Sequence, residues 1–361
     1  MADGSNGPTG IPGVPGVENP QGLAKWLAGA GLTDLGELRE VRLIAGGRSN
    51  LTYRLDLDGG RIVLRRPPLG HVLPTAHDMN REYRVLSALA GTAVPVPVTL
   101  ASCQDPEIIG APFYLMRFVD GLVLRSAEDG AALSEEQAGE LSNLLAETMA
   151  SIHGVDVEAV GLGDFGRPAG YLARQLSRWQ RQRELSNTRE LPGYEELVQR
   201  LADGLPDSAD GTLVHGDFRL DNTLVQLSEP ARVAAVVDWE MSTLGDPLAD
   251  LGLTLSYWAD GAHANGSEGL PDSTLRASVT SLPGFWSREQ FAARYAELTG
   301  RDVSGIGYYI AFGYFKLAIV LEGIHARFLQ HQTVGEGFER EGQAVPALIA
   351  RAHQLLDTLS T

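Results

Sequence analysis

The first third of the chain alternates apolar and polar positions at a period of two. Strand-like runs occupy residues 41–45, 51–57 and 61–65, and Asp58-Gly59-Gly60 supplies a hairpin turn between the second and third. Two more runs follow at 96–102 and 112–119, so five strands of an antiparallel sheet are predicted. Two helices interrupt them. Asn19-Pro20 is an N-cap followed by a proline at the first helical position, with Leu23, Trp26 and Leu27 on one face. Residues 75–89 place Tyr83, Leu86 and Leu89 at helical spacing. Beyond residue 120 the period changes to 3.6. Ser134 and Gln137 form a capping box before a stripe of Leu141, Leu144, Leu145, Thr148, Met149 and Ile152. Further helices are predicted over 171–185, 194–201, 287–298, 306–329 and 344–359, with a polar loop at 262–281. The aromatic run in 306–329 reads as core.

Within the helical part lies an exception, residues 213–250. Two short strands, 223–225 and 233–237, flank a turn at Ser228-Glu229-Pro230. His215-Gly216-Asp217 precedes the first strand, Asn222 follows five residues after Asp217, and Asp238 comes directly after the second strand. Two carboxylates and an amide at the ends of adjacent strands would converge. Oxygen ligands of this kind suit Mg²⁺, which takes few protein ligands and completes its shell with phosphate oxygens and water. Asn222 and Asp238 are the candidate metal ligands, and Asp217 is left to accept a proton from a substrate hydroxyl. That division of labour is the layout of phosphoryl transfer.

The motif resembles the catalytic loop H-G-D-x-x-x-x-N of the aminoglycoside phosphotransferase and choline kinase group, relatives of the protein kinases. Asp238-Trp239-Glu240 stands where protein kinases have Asp-Phe-Gly. Leu64-Arg65-Arg66-Pro67-Pro68, the run REYRVL at 81–86 and GDPLADL at 245–251 are similar to kinase-like domains associated with acyl-CoA dehydrogenases. The resemblance runs from about Leu38 to the C-terminus. It implies an α+β, two-lobed protein-kinase-like fold: a small antiparallel β lobe and a larger, mainly helical lobe. The expected division is a disordered arm over 1–18, a nucleotide-binding lobe over 19–118 and a catalytic and substrate lobe over 119–361.

It also implies roles. The Gly-rich tip Gly46-Gly47-Arg48-Ser49-Asn50 would face the nucleotide, with Ser49 and Asn50 near the phosphates. Glu82 would pair with the cation of the third strand. Met116 would line the adenine pocket, and the backbones of Arg117 and Val119 would bond the adenine edge. The implied donor is ATP or GTP with Mg²⁺, and the acceptor is a small-molecule hydroxyl. An unassigned metabolite ranks first, a hydroxyacyl compound second and an aminoglycoside third. His215 reads as a brace for the loop, Asp250 as an anchor for it, and His153 as a cation capping a helix C-terminus.

One departure stands out. The chain has two lysines, Lys25 and Lys316, and neither lies on the third strand. Arg65 takes the lysine's place. A nucleotide-binding pseudokinase or scaffold is therefore the rival reading. Trp239 and Glu240, and the absence of an A-P-E run, disfavour a mobile activation switch and protein substrates.

Composition changes this picture little. At 361 residues two lobes are natural, and 43% hydrophobic content permits a large core. No run of about 18 uninterrupted apolar residues predicts a membrane span. The first 20 residues lack a basic region followed by an apolar run, so no secretory signal is expected. A single cysteine, Cys103, excludes an internal disulfide framework, and a cytoplasmic location is expected. Of the net charge of −17, residues 1–120 carry −1 and the rest −16. Nucleic acid and anionic membranes need a basic footprint and are not expected partners. The acidity would attract a cationic substrate, but solubility is the preferred reading.

Overall fold

A computed structural model describes residues 11–44, 50–69, 78–186, 188–207, 211–259, 278–330 and 341–359. The chain divides into two compact units. The first comprises residues 1–91, 96–120 and 238–240, and the second comprises 92–95, 121–237 and 241–361.

The first unit is built on a five-stranded antiparallel sheet. Its strands are β1 (Leu38–Leu43), β2 (Leu51–Leu57), β3 (Gly60–Arg66), β4 (Thr99–Cys103) and β5 (Phe113–Arg117), in the order β1-β2-β3-β5-β4. The central strand β3 is buried from Ile62 to Arg66, because helices or loops cover both faces of the sheet. On one face Ile62 and Leu64 join Tyr53, Leu55, Phe113 and Leu115. Leu23 and Leu27 of α1 (Pro20–Gly29) complete that core. Each fully buried side chain of this kind contributes about 1.5–3 kcal/mol. Asn19 caps α1 by accepting from the Gly22 amide (2.9 Å). The other face of β3 presents Val63 and Arg65, and Arg65 meets Glu82 of α2 (Met79–Leu89) there.

The expected disordered arm needs a correction at its C-terminal end. Val14 and Val17 form a bridge, and Val17 is fully buried in the core. Arg66 donates to the carbonyls of Gly16 (2.5 Å) and Ile109 (2.9 Å), and the Tyr53 hydroxyl donates to that of Pro15. An apolar anchor at Val17 and two strand-borne donors hold a segment whose Gly/Pro composition alone suggests disorder. Residues 1–10 lie outside the described residues, as do 46–49 of the Gly-rich tip and 262–277 of the predicted polar loop.

The second unit is mainly helical. It contains α3 (Glu135–His153), α4 (Tyr171–Leu185), α5 (Tyr194–Asp203), α6 (Pro247–Tyr257), α7 (Arg288–Thr299), α8 (Ile306–Leu329) and a closing helix, Val345–Leu359. The predicted capping box opens α3 at Ser134, and a second capping box opens α7 at Ser287. Helix α8 is the core of the unit. It is long and apolar enough to cross a membrane, yet 83% of its most apolar window is buried. It packs on α6 at two glycines. A Cβ on Gly252 would lie 2.4 Å from the Tyr309 backbone, and one on Gly313 would lie 3.0 Å from Ser256. Backbones this close leave no room for side chains, so alanine at 252 would force the helices apart. Two small ladders, β6 (Thr212–Val214) with β9 (Thr243–Gly245) and β7 (Thr223–Gln226) with β8 (Arg232–Val236), carry the 213–250 stretch.

Candidate active site

In the second unit the chain leaves β6 at His215 and turns at Gly216, where φ is +82°. A Cβ there would sit 2.7 Å from the Met241 carbonyl oxygen, so both conformation and space require glycine. Asp250, on the first turn of α6, holds the turn from below. Its Oδ2 accepts from the His215 amide (2.7 Å) and its Oδ1 from the Gly216 amide (2.8 Å). The His215 ring bonds the carbonyl of Val237 through Nε2 (3.0 Å), which makes it a structural brace.

His153 has a different role from the capping cation expected. It is 2% exposed, its Nε2 lies 3.2 Å from Asp250 Oδ2, and its Nδ1 lies 2.7 Å from the Tyr295 hydroxyl. His153 turns inward from the last turn, so both ring nitrogens are taken by a carboxylate and a phenol and neither is left for the helix's terminal carbonyls. Burial opposes ionisation of Asp250, but the bond from His153 and the His215 amide outweigh it and hold the carboxyl below its usual range.

Asp250→Asn is accordingly expected to cost about 3–5 kcal/mol, the range for removing one partner of a buried pair. Because the folded pKa is depressed, this contribution is complete above the reference value of 3.8 and is lost as pH falls below it. Urea titrations at pH 7 and pH 3 check it: the gap between wild type and variant should narrow in acid.

Asp217 follows the turn with its side chain 27% exposed. Asn222 donates from Nδ2 to the Asp217 carbonyl (2.8 Å) and to its Oδ2 (3.0 Å). That orientation leaves the amide oxygen of Asn222 as the acceptor for a cation. Phe218 is buried, and its carbonyl accepts from Thr254 (2.7 Å), pinning the loop again to α6. Arg219 was missed in the sequence. Its Nε is 3.7 Å from Asp217 Oδ2 and its guanidinium lies over the Tyr257 ring, 4.6 Å from the centroid. Burial, with Asp217 second, pushes the Tyr257 hydroxyl far above its usual range, so it stays neutral.

The first unit gathers the cation of β3. Arg65 donates from Nε to Glu82 Oε2 (2.9 Å), from Nη2 to Asp238 Oδ1 (2.5 Å) and from Nη1 to Thr52 (3.2 Å). Burial works against its charge, but Glu82 and Asp238 prevail and hold the guanidinium protonated. Glu82 uses its other oxygen to accept from the Trp239 amide (3.2 Å). Among the described residues Asp238 alone has a positive φ without being glycine, +67°. That region costs an ordinary L residue about 1–2 kcal/mol, and Asp tolerates it better than most because its short polar side chain can hydrogen-bond locally. Trp239 is fully buried, and Asn50 donates to Glu240 (3.0 Å) while its own Oδ1 is buried without a hydrogen-bond partner among the described residues. The 238–240 turn is thus fastened by α2 and by the start of β2.

Of the remaining nucleotide candidates, Met116, Arg117 and Val119 follow one another at the end of β5. Ser49 lies outside the described residues. Met116 is buried in β5 opposite Val63 and Thr99. The Arg117 amide donates to the Val98 carbonyl (2.8 Å), so of its two backbone groups the N–H is committed to the sheet. Val119 follows the strand half-buried, with no backbone bond to another backbone group among the described residues.

The faces of Arg65 and Arg66 separate two effects. Arg65→Lys is expected to keep the charge, lose the fork, raise the nucleotide KM and lower kcat. Arg66→Ala should leave both constants within about twofold and lower stability instead by about 1–3 kcal/mol per carbonyl left unpaired. Kinetics and melting of the two variants check it. A kinetic defect confined to Arg66→Ala would reverse the assignment.

The chain matches the phosphotransferase enzyme family over residues 40–277. It is 36% identical over 335 residues to acyl-CoA dehydrogenase family member 10 of Mus musculus, which covers 90% of this chain and 30% of that protein. It is 35% identical over 327 residues to acyl-CoA dehydrogenase family member 11 of Gallus gallus, covering 89% of this chain and 41% of that one. The chain therefore spans well under half the length of these curated relatives. A solved structure from Ralstonia eutropha, described as a putative aminoglycoside phosphotransferase, superposes with a TM-score of 0.77 at 33% identity, covering 94% of this chain and 98% of that one. The ternary complex of the aminoglycoside phosphotransferase APH(4)-Ia with ADP and hygromycin B superposes at 0.59 and 15% identity, covering 94% and 99%, and shares the fold. The fold is α+β and protein-kinase-like, and the match over residues 40–277 places the chain in the phosphotransferase enzyme family.

Proposed function

We propose that the chain transfers the γ-phosphate of ATP or GTP to a hydroxyl of a small molecule, with Mg²⁺ as cofactor. The observation that carries this reading is the catalytic loop. Asp250 and His215 immobilise the turn, and Asn222 bonds the Asp217 carboxylate, so a carboxylate is presented on a rigid support. Asp217 would accept the proton of the acceptor hydroxyl late in transfer, as the new P–O bond forms and the bond to the nucleotide's bridging oxygen breaks. By donor chemistry alone, the amide oxygen of Asn222 and the carboxylate of Asp238 would suit Mg²⁺, being hard oxygen ligands, few in number. Bound there, the ion would neutralise charge on the phosphate oxygens. Arg65 would add a fixed positive charge toward the phosphates, with Ser49 and Asn50 at the tip and Met116 and Val119 toward the base. In this reading residues 19–118 serve the nucleotide and 119–361 the chemistry and the acceptor.

Solved relatives of this fold include complexes with ADP, AMP-PNP and GDP, which support a nucleotide donor. For the acceptor we favour a hydroxylated metabolite, with a hydroxyacyl compound ahead of an aminoglycoside. The similarity to acyl-CoA dehydrogenase family members supports that order, and a 27% identical homoserine kinase of Pseudomonas aeruginosa widens it to small hydroxylated metabolites. A cytoplasmic setting suits such substrates. The test is phosphate transfer from γ-labelled ATP and GTP to hydroxyacyl, hydroxy-acid and aminoglycoside panels, with and without EDTA. Transfer that survives EDTA would refute the metal role.

One observation favours a second reading, a nucleotide-binding scaffold. Arg65 replaces the usual lysine and its guanidinium engages Oδ1 of Asp238. A scaffold would bind nucleotide equally well in EDTA and show no hydrolysis without acceptor.

A further inference from the structure

Lys316 is one of two lysines in the chain, and it sits in the middle of α8, the core helix. Its ammonium donates to the Gly216 carbonyl at 2.7 Å and lies 5.4 Å from the centre of the Trp179 ring. The acceptor matters because of where it is. The Gly216 carbonyl and the Asp217 amide belong to the same peptide unit, and that unit ends on the Cα bearing the proposed base. Its N–H donates to His215 Nδ1 (3.3 Å). One bond at each end therefore fixes the plane of this peptide, while Asp250 fixes the two amides before it.

We propose that Lys316 is a positioning residue, clamping the Gly216–Asp217 peptide so that the Asp217 carboxylate is held at one angle. Glycine at 216 makes such a clamp useful. With φ at +82° and no side chain, Gly216 has no rotamer to lock the following peptide, whose orientation is left to its hydrogen bonds and to the close Met241 backbone. A rotation there swings the carboxylate by the full length of its side chain. A lysine is also an expensive residue to place here. Burial lowers its pKa, against the pull of Asp217 and Asp250, so its presence needs a reason beyond filling space. The cavity beside it, about 20 Å³ and lined by Tyr171, Gln175, Trp179, Asp250 and Phe312, holds one water molecule at most. Lys316 therefore reaches no ligand from that side, and it acts through the loop.

The inference rests on Asp217 being the base, so the test reads the clamp separately from the chemistry. Lys316→Met, Lys316→Gln and Lys316→Arg are made in the full chain. Hydrogen exchange of assigned amides is followed by NMR, and kcat and nucleotide affinity are measured with Mg·ATP. In Lys316→Met the Asp217 amide should exchange at least about tenfold faster, while His215 and Gly216 keep their protection. The kcat should fall about 10²-fold, the cost of a misplacement near 1 Å, with nucleotide affinity unchanged. Lys316→Arg, which still donates to the carbonyl, should recover most of both. Should the methionine variant not fold, the glutamine variant carries the same readings. An Asp217 amide that exchanges at the wild-type rate, or a kcat within threefold of wild type, overturns the proposal. If the wild type transfers no phosphate at all, the reading of the enzyme fails, and the exchange measurement still decides the clamp.

Discussion

Asp217→Asn is expected to lower kcat by about 10²–10⁴-fold, the contribution of a positioned general base, while nucleotide affinity stays close to wild type. The substitution keeps the shape of the side chain and the Asn222 bond to the residue 217 carbonyl (2.8 Å), so the loop should hold its conformation. What it removes is the capacity to take up a proton. Asp250 does not replace it, since both its oxygens are committed to loop amides and it is 3% exposed. Asp221 lies four residues on, and burial raises its pKa. It carries an ion pair of its own to Arg219 at 3.5 Å. The check is steady-state kinetics beside fluorescent-nucleotide binding. A variant with more than about a tenth of the wild-type kcat would end the assignment of Asp217 as base.

The second large effect is at Asp238. Asp238→Ala should weaken Mg²⁺-dependent nucleotide binding by about 10²-fold, as expected when one member of a hydrogen-bonded charge pair is truncated. Two changes coincide in that variant. The carboxylate is lost, and alanine must adopt φ near +67° at about 1–2 kcal/mol. Asp238→Asn separates them, because asparagine tolerates the left-handed region and still accepts from Arg65. Calorimetric titration of Mg·ATP into both variants, repeated in EDTA, makes the comparison. Loss in alanine alone would assign the effect to the backbone. Loss in both, absent in EDTA, would assign it to the carboxylate and the metal.

How much of this could be read from residues alone differs by element. Helix and strand identity was legible because period and caps are local. Ser134 and Ser287 close their capping boxes within three residues, and Asn19 caps α1 over the same distance. The alternation along β3 likewise told which residues share a face: Val63 with Arg65, and Ile62 and Leu64 with Arg66. The spacing of His215, Gly216, Asp217 and Asn222 marked the loop, because one turn must bring base and amide together.

Only the tertiary structure decided what each face meets. Arg65 finds Asp238 across 173 residues, His153 finds Asp250 across 97, and Lys316 finds Gly216 across 100. Periodicity orients a side chain relative to its own element and carries no address for the partner. The same limit hid the ordered segment at Val14–Val17, whose Gly/Pro composition suggests disorder until Arg66 and Tyr53 supply its bonds. It also covers the Arg117 amide. Whether a strand-end amide is free depends on how far its neighbour runs, and the Val98 carbonyl, just before β4, takes that amide. The sequence by itself thus determined the main helices, the five strands of the first sheet, their faces and the chemical type of the loop, but not the short β6–β9 ladder that carries it. Packing decided the partners, because a hydrogen bond between distant segments is chosen by which surfaces the core brings within 3 Å and not by the local order of residues.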